Sequence, residues 1–325
     1  MSGRSKVMTL TEAIEQFVHD GALISLGGFS ATQCPMAAVH EIIRQGIKNL
    51  HVAACSNGQA VDELIGGGCV ERIEIAYGGN GRFAPTCFRF RRGIERGEVK
   101  VEDYSNYQMT LRFMAGAMGV PFLPTYSSLG TDIVNRWGFD EGLRRQDTRL
   151  PLKKLEIMDN PFNRTGQVDR LVLVPALQPD VTIIHAQKAD AMGNVRLMGL
   201  VYSDIEQAKA SKHVIVTCEE IVETDDLRKE PERNQIIGIQ VSAVVKVPWG
   251  AYPAAVYGYY DYDPWFLTEF YPKVAKDDEK WQQYIEDYVL GVKDRQGFLE
   301  LIGLEKVERL RADEGYGYNR SLKRR

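Results

Sequence analysis

Apolar and polar positions follow two alternating periods along the first 125 residues of the chain. Short apolar runs at 22–26, 50–54 and 70–77 have the length of buried strands, whereas the segments between them have the wider apolar spacing of amphipathic helices. The first helix opens with Thr9-Leu10-Thr11-Glu12, which has the form of a capping box. Strands that alternate with helices in this way predict right-handed crossovers and a parallel sheet covered on both faces.

The alternation is interrupted once and then resumes. Residues 131–164 mix charge, glycine and proline, and we predict that they form an excursion over the surface. From about residue 264 the chain is expected to be helical, with 281–292 as the clearest helix. Neither a repeat nor a linker divides the sequence, so we predict one α/β domain over residues 1–325. The other predicted elements are helices at 36–45, 87–96, 105–118 and 204–210, a short helix that ends at Leu64, and strands at 99–101, 171–174, 181–185, 214–218 and 241–247.

Composition excludes several classes of protein. The formal net charge of −4 and the lack of a strongly basic stretch argue against a nucleic-acid partner. The longest apolar runs have strand length, far below the roughly 20 residues of a membrane-spanning helix, so no membrane partner is expected. The five cysteines are odd in number and show no CxxC spacing, which predicts neither a disulfide framework nor a zinc or other metal site. We therefore predict a reducing, cytoplasmic location.

Two glycine-rich breaks come directly after predicted strands, and the carboxyl ends of parallel strands meet at one edge of a sheet. Gly27-Gly28-Phe29 could let backbone N–H groups approach a ligand, although a tight turn that touches nothing gives the same pattern. In the second break, 77–82, Arg82 could clamp a carboxylate or could be one of several solvated arginines. The residues that we predict to contact substrate are Gly27, Gly28, Phe29, Tyr77, Asn80, Gly81 and Arg82.

Other catalytic chemistries have weaker support in the sequence. His185 with nearby Asp190 could hold a metal or transfer a proton, but a hydrogen-bonded core histidine is the favoured interpretation. Cys55 lies in a turn after a strand without a basic neighbour, so a buried structural thiol is favoured over a nucleophile. The sequence contains no GxGxxG, GxxxxGK[ST], HExxH or GxSxG motif, which removes the usual nucleotide, zinc-protease and serine-hydrolase signatures.

Several motifs occur in an order that is similar to one family. They are Asp20-Gly21, Gly27-Gly28-Phe29, Asp62-Glu63-Leu64-Ile65-Gly66, Glu102-Asp103-Tyr104-Ser105, Gly119-Val120-Pro121-Phe122-Leu123-Pro124, Asp159-Asn160-Pro161-Phe162, His185-Ala186-Gln187 with Asp190 and Gly193-Asn194, and Cys218-Glu219-Glu220-Ile221. Over roughly residues 5–310 the chain resembles the α subunits of class I coenzyme A transferases, those of glutaconate CoA-transferase in particular. The resemblance implies a three-layer α/β/α fold with a mainly parallel sheet, of the ribose-phosphate-isomerase-like type.

The resemblance also implies a reaction and a partner. In such enzymes the β-type subunit carries a glutamate that attacks the acyl-CoA thioester, and CoA then passes through a glutamyl thioester to a second carboxylate. The β-type motif Ser-Glu-Asn-Gly is missing here, because the nearest string, Cys55-Ser56-Asn57-Gly58, lacks the glutamate. The implied enzyme is therefore a heterotetramer or larger with a β-type subunit, which takes an acyl-CoA and a small carboxylic acid and has no permanently bound cofactor.

An amide that binds the thioester oxyanion is the catalytic group that the resemblance implies for this chain. The family's glutamine, counted back from Gly119-Val120-Pro121, falls at Asn106, and a slip of two residues would assign the role to Gln108. Related ring-opening hydrolases carry a glutamate there that activates water, which an amide cannot do. Hydrolysis of a thioester or ring, or decarboxylation of an enoyl-CoA on the same heteromeric scaffold, is the alternative function. A metabolite-binding module without catalysis is a third hypothesis.

The sequence departs from the family at positions that would line the acyl pocket. Glutaconate transferases carry a serine near Gly81, and Arg82 is not part of their pattern. Gln33 stands where many class I transferases have glycine. A wider pocket with a cation beside it predicts a dicarboxylic acyl group.

Overall fold

The predicted alternation folds into a mainly parallel sheet in the computed structural model, which describes residues 5–136 and 138–323. The ends of the predicted 1–325 domain, 1–4 and 324–325, lie outside the described residues. The strands are β1 (Leu23–Leu26), β2 (Leu50–Ser56), β3 (Val70–Tyr77), β4 (Lys100–Asp103), β5 (Phe122–Thr125), β6 (Glu156–Asp159), β7 (Arg170–Pro175), β8 (Val181–Asp190), β9 (Val195–Arg196), β10 (His213–Val222) and β11 (Ala243–Lys246). The α-helices are α1 (Leu10–Phe17), α2 (Met36–Arg44), α3 (Gln59–Gly66), α4 (Phe88–Glu95), α5 (Asn106–Met118), α6 (Glu141–Gln146), α7 (Asp204–Ala210), α8 (Thr224–Arg228), α9 (Tyr271–Ala275), α10 (Asp278–Tyr284), α11 (Arg295–Ile302) and α12 (Leu304–Glu308).

The main sheet confirms the predicted fold class. In the part of the chain that the structure describes, its parallel strands lie in the order β11-β10-β8-β1-β2-β3-β4, and β9 pairs antiparallel with β8. Strands β1 and β2 are buried along their whole length, as expected for a sheet covered on both faces. Their carboxyl ends and that of β3 meet at one edge.

Helices cover the two faces of this sheet in separate layers. Side chains such as Ile24, Val52 and Ile73 pack on one face with α1, α2, α3 and the helices that follow residue 264, among them π-helical turns at Phe266–Phe270 and Ile285–Leu290. On the other face, α5 and α7 pack against each other and against the sheet. The result is three layers, α/β/α.

A second, small sheet packs against α5, and it corrects the expectation that the strand at 171–174 belongs to the parallel sheet. The predicted strand at 171–174 is present within β7, but it does not resume the parallel sheet. It pairs antiparallel with β5 and β6 instead, in the order β5-β7-β6. Val172 and Val174 pack in the core beside α5. The apolar run of strand length therefore predicted a strand correctly, but it did not indicate to which sheet the strand belongs.

The stretch 131–164 contains short elements that are tied to the main sheet. It includes a 3₁₀ turn, α6 and β6. Arg144 forms an ion pair with Glu102, and Lys154 Nζ lies 2.6 Å from Asp103 Oδ1. The helix α1 has the predicted capping box at Thr9 and ends at Phe17. Among the described residues, no helix has the length and apolar character needed to cross a bilayer.

Candidate functional site

Backbone hydrogen bonds join the loops that leave β1, β2 and β3 at the carboxyl edge. Ser30 N donates to Ser56 O at 2.8 Å, and Asn57 N donates to Tyr77 O at 3.0 Å. Ser30 Oγ also donates to Gly79 O at 3.3 Å. The two glycine-rich breaks of the sequence therefore lie side by side, on either side of the end of β2.

The Gly27–Phe29 loop is fixed by contacts inside the protein. Gly28 has φ +83°, and a Cβ there would lie 2.6 Å from the Thr32 carbonyl oxygen, so only glycine fits. Gly27 N, Gly28 N and Phe29 N donate to Ile183 O, Asp204 Oδ1 and Thr32 O, respectively. Because all three N–H groups are engaged, a substrate would meet the surface of this loop rather than these donors. Substrate contact at Gly27, Gly28 and Phe29 stays a prediction.

Asp204 is a site residue that sequence reasoning did not identify. Its Oδ1 accepts the Gly28 N–H at 2.8 Å from a position 176 residues away. Burial raises the pKa of this carboxyl above its usual range. A Cβ on Gly27 would lie 2.5 Å from the same oxygen, which explains why glycine stands there. Asp204 thus sets the shape of the glycine loop, and no local signal in the sequence links the two.

Asn106 is the first residue of α5 and faces the end of β2. Its Oδ1 accepts a hydrogen bond from Ser56 Oγ at 2.8 Å. Within residues 5–136 and 138–323, no protein group accepts a hydrogen bond from Asn106 Nδ2. The half-buried amide thus has an available donor, at the positive end of a 13-residue helix. Both features suit a site where negative charge develops.

Gln108 has a different role from Asn106. Gln108 Oε1 accepts the Ser105 N–H at 3.0 Å, while Ser105 Oγ accepts the Gln108 N–H at 3.1 Å. This reciprocal pair is a capping box that closes the start of α5. Gln108 is 0% exposed, so it does not reach the surface of the site.

The predicted substrate residues of the 77–82 loop include one with a structural role and others that are at least partly exposed. Asn80 is buried, and its side chain bonds Gln59 twice, with Gln59 N donating to Oδ1 at 3.0 Å and Nδ2 donating to Gln59 Oε1 at 3.2 Å. It therefore holds the start of α3. Tyr77 is half-buried, and burial raises the pKa of its phenol. Gly81 is exposed with φ +57°, which itself favours glycine, and among the described residues a Cβ there would meet only Ser30 Oγ, at 3.7 Å. Gly81 thus lies beside open space, and substrate contact at Tyr77, Asn80 and Gly81 stays a prediction.

Arg82 differs from the arginines that follow it. Arg89, Arg92 and Arg96 all form ion pairs with Asp278, and Arg91 pairs with Glu95. Arg82 has no carboxylate within ion-pair distance among the described residues. Its guanidinium lies 5.1 Å from the centroid of the Phe83 ring, and Nη2 donates to the Tyr262 hydroxyl at 2.8 Å. The exposed cation is thus held by two aromatic side chains, with further N–H donors available.

The weaker candidates have structural roles. Both ring nitrogens of buried His185 are bonded, to Thr217 Oγ1 at 2.9 Å and to Glu219 Oε1 at 2.8 Å, as favoured from the sequence. Asp190 accepts backbone N–H groups of its own turn. Burial raises the pKa of Cys55 to about 12, so this thiol stays protonated at neutral pH. Among the described residues, no cluster of three or more His, Cys, Asp or Glu side chains is arranged to hold a metal ion.

Known proteins are similar to this chain in both sequence and fold. A sequence profile described as Coenzyme A transferase matches residues 7–247. The chain belongs to the coenzyme A transferase family. It is 40% identical to the A-type subunit of glutaconate CoA-transferase from Acidaminococcus fermentans over 97% of each chain. It is 36% identical to the A-type subunit of 3-oxoadipate CoA-transferase from Pseudomonas knackmussii, over 90% of this chain and 97% of that one.

A solved structure supports the same conclusion for this coenzyme A transferase chain. The crystal structure of glutaconate coenzyme A-transferase from A. fermentans has a TM-score of 0.92 to it, with 40% identity over 97% of this chain and 98% of the other. Both relatives carry the A-type designation, which agrees with the missing glutamate in Cys55-Ser56-Asn57-Gly58. In the structure, Asn57 from this string donates from Nδ2 to Gly27 O at 3.2 Å and supports the glycine loop.

Proposed function

We propose that this chain is the A-type subunit of a transferase that moves CoA from an acyl-CoA to a small carboxylic acid, and that a β-type subunit supplies the nucleophile. The observation that carries the proposal is the pairing of an available amide at Asn106 with the missing glutamate at residues 55–58. This chain can bind and polarise a thioester at its carboxyl edge, but Cys55-Ser56-Asn57-Gly58 offers no carboxylate to attack it. Covalent trapping of the acyl-enzyme, followed by mass spectrometry of both chains, tests the proposal.

The proposed reaction proceeds in balanced steps. The partner glutamate attacks the thioester carbonyl, the C–S bond breaks, and an acyl-glutamyl anhydride and CoA thiolate form. The thiolate attacks the glutamyl carbonyl, which gives a glutamyl-CoA thioester and releases the first carboxylate. The second carboxylate then attacks this thioester, so that a new anhydride forms and the CoA thiolate is released. The thiolate attacks the acyl carbonyl of the new anhydride, which gives the product acyl-CoA and frees the glutamate. In each tetrahedral transition state on the substrate acyl carbon, the Asn106 Nδ2 group donates to the oxyanion. Such a donor supplies roughly 3 kcal/mol.

A dicarboxylic acyl group is the substrate class that we propose. Gly81 leaves space beside Ser30, and Arg82 next to it is a cation without a carboxylate partner among the described residues. A guanidinium fork binds a carboxylate in bidentate fashion, which would hold the distal carboxylate of a dicarboxylic acid. The Tyr262 hydroxyl and the Phe83 ring keep Arg82 in place beforehand, so less side-chain entropy is lost on binding.

The variant Arg82→Ala tests this substrate class in the assembled enzyme. We expect kcat/KM for dicarboxylic acyl-CoA substrates to fall about 10- to 100-fold, as is typical of a hydrogen bond to a charged group. The value for monocarboxylic acyl-CoA should change little. Arg91→Ala is the matched control, because Arg91 is exposed and forms its ion pair with Glu95, one helical turn away. An Arg82→Ala enzyme with an unchanged kcat/KM for every dicarboxylate would rule out the clamp.

The alternative of hydrolysis or decarboxylation has less support. An amide at Asn106 cannot act as a base on water, and the relatives from A. fermentans and P. knackmussii, at 40% and 36% identity, are both named as transferases. A heterotetramer or larger assembly and a cytoplasmic location complete the proposal. The location is supported by Cys34, Cys55, Cys69, Cys87 and Cys218, which are all free and buried.

A further inference from the structure

We propose that Ser56 is a positioning residue that holds the Asn106 amide with its NH₂ group toward the substrate. The inference rests on the proposed function and deepens it. Ser56 Oγ donates to Asn106 Oδ1 at 2.8 Å. Fixing the carbonyl oxygen of an amide on one side leaves its nitrogen on the other, because the two atoms are joined through a planar group. A reversed amide would donate to Oγ and leave the buried Ser56 hydroxyl hydrogen without an acceptor among the described residues, so the serine favours the orientation with Nδ2 toward the thioester.

The anchor is rigid for reasons visible in the sheet. Ser56 is the last residue of β2, and its carbonyl accepts the Ser30 N–H at 2.8 Å. Its backbone is also paired in register with Tyr77 of β3. Because Ser56 is only 1% exposed, its hydroxyl needs a hydrogen-bond acceptor within the protein. Asn106 Oδ1 is that acceptor.

The amide itself has little else to orient it. The terminal torsion of an asparagine is broad, with two nearly equivalent orientations that exchange oxygen and nitrogen. In the wrong orientation, the Asn106 oxygen would face the developing oxyanion and repel it. Among the described residues, the Ser56 hydroxyl is the one group that forms a side-chain hydrogen bond with Asn106. Preorganisation of this donor is what the proposed catalysis requires.

Ser56→Ala tests the inference in the enzyme assembled with its β-type partner. We expect kcat to fall about 3- to 10-fold, the effect of one neutral hydrogen bond, while KM for the acyl-CoA changes less than about twofold. Ser56→Thr, which keeps the hydroxyl, should restore most of kcat. A purely structural serine would instead change the melting temperature or the yield of assembled enzyme without this selective loss of kcat.

A double-mutant cycle separates this inference from the proposed function. If Ser56 acts through Asn106, Ser56→Ala should lower kcat no further in an Asn106→Ala enzyme. An equal loss in both backgrounds would overturn the positioning role, and so would an unchanged kcat in Ser56→Ala alone. If Asn106→Ala itself leaves kcat unchanged, the oxyanion role fails and the positioning role fails with it. If Ser56→Ala does not assemble, Ser56→Cys, which replaces the hydroxyl by a weaker donor, should show the same kcat loss and the same cycle.

Discussion

Replacing Asn106 by alanine is expected to lower kcat of the assembled transferase by about 10²–10³-fold. In the proposed reaction the amide donor would meet the oxyanion at the start of α5, where the helix dipole also favours negative charge. Removing it takes away an interaction that strengthens as charge develops in the transition state, so kcat should fall more than KM rises. Steady-state kinetics with a saturating acyl acceptor measure the effect.

Two further variants at the same position sharpen this prediction. Asn106→Gln keeps an amide, which is the group that the family resemblance implies, and we expect it to retain far more activity than alanine. Asn106→Asp keeps the size of the side chain but repels the oxyanion, so it should be at least as impaired as alanine. An Asn106→Ala enzyme with kcat within about twofold of the original would contradict the assignment.

Replacing Arg112 by methionine is expected to lower the free energy of unfolding by about 3–5 kcal/mol, because it leaves Glu74 buried without its cation. Both side chains of this ion pair are 1% exposed. Arg112 lies in the middle of α5, its Nε donates to Pro175 O at 3.3 Å, and its guanidinium lies 4.3 Å from the Tyr104 ring centroid. It therefore connects the main sheet, α5 and the small sheet. Urea unfolding of the purified chain measures the loss.

Controls for this prediction come from a surface pair and a double variant. Arg91→Ala breaks an exposed pair with Glu95 and should cost less than about 1 kcal/mol. Adding Glu74→Gln to Arg112→Met removes the stranded charge and should recover part of the stability. If Arg112→Met costs no more than Arg91→Ala, the buried pair does not hold the layers together.

The same pair predicts a pH dependence of stability. Burial by itself would raise the pKa of Glu74, but the charge of Arg112, the neighbouring His51 and hydrogen bonds to both outweigh burial and lower the pKa to about 2. A carboxyl whose pKa is lower in the folded state stabilises the fold above its unfolded pKa. The contribution of Glu74 is therefore present at neutral pH and is lost as the pH falls from about 4.5 toward 2.

The sequence predicted the main sheet well because its strands are buried and separated by helices with clear start signals. It failed for the small sheet for a physical reason. All four residues of β6 are exposed, so this strand has no apolar alternation, and β7 looked like one more strand of the parallel sheet. Periodicity reports burial along one strand and carries no information about its partner.

At the site, a local signal in the sequence separates two candidates for the oxyanion amide. Ser105 and Gln108 have the spacing of a capping box, which already assigns the Gln108 side chain to the helix start and leaves Asn106 as the catalytic candidate. The contact of Asp204 with Gly28 could not be predicted, since it spans 176 residues. Arg82 could not be distinguished from its neighbours either, because Asp278, which binds three of them, lies far along the chain.

Covalent trapping tests the division of labour between the two chains most directly. The enzyme, assembled with its β-type partner, is incubated with acyl-CoA and treated with borohydride or hydroxylamine, and both chains are analysed by mass spectrometry. We predict a modified glutamate on the partner and no adduct on this chain, together with no transfer by this chain alone. An adduct on this chain, transfer without a partner, or turnover by hydrolysis with no adduct on either chain would contradict the proposed function.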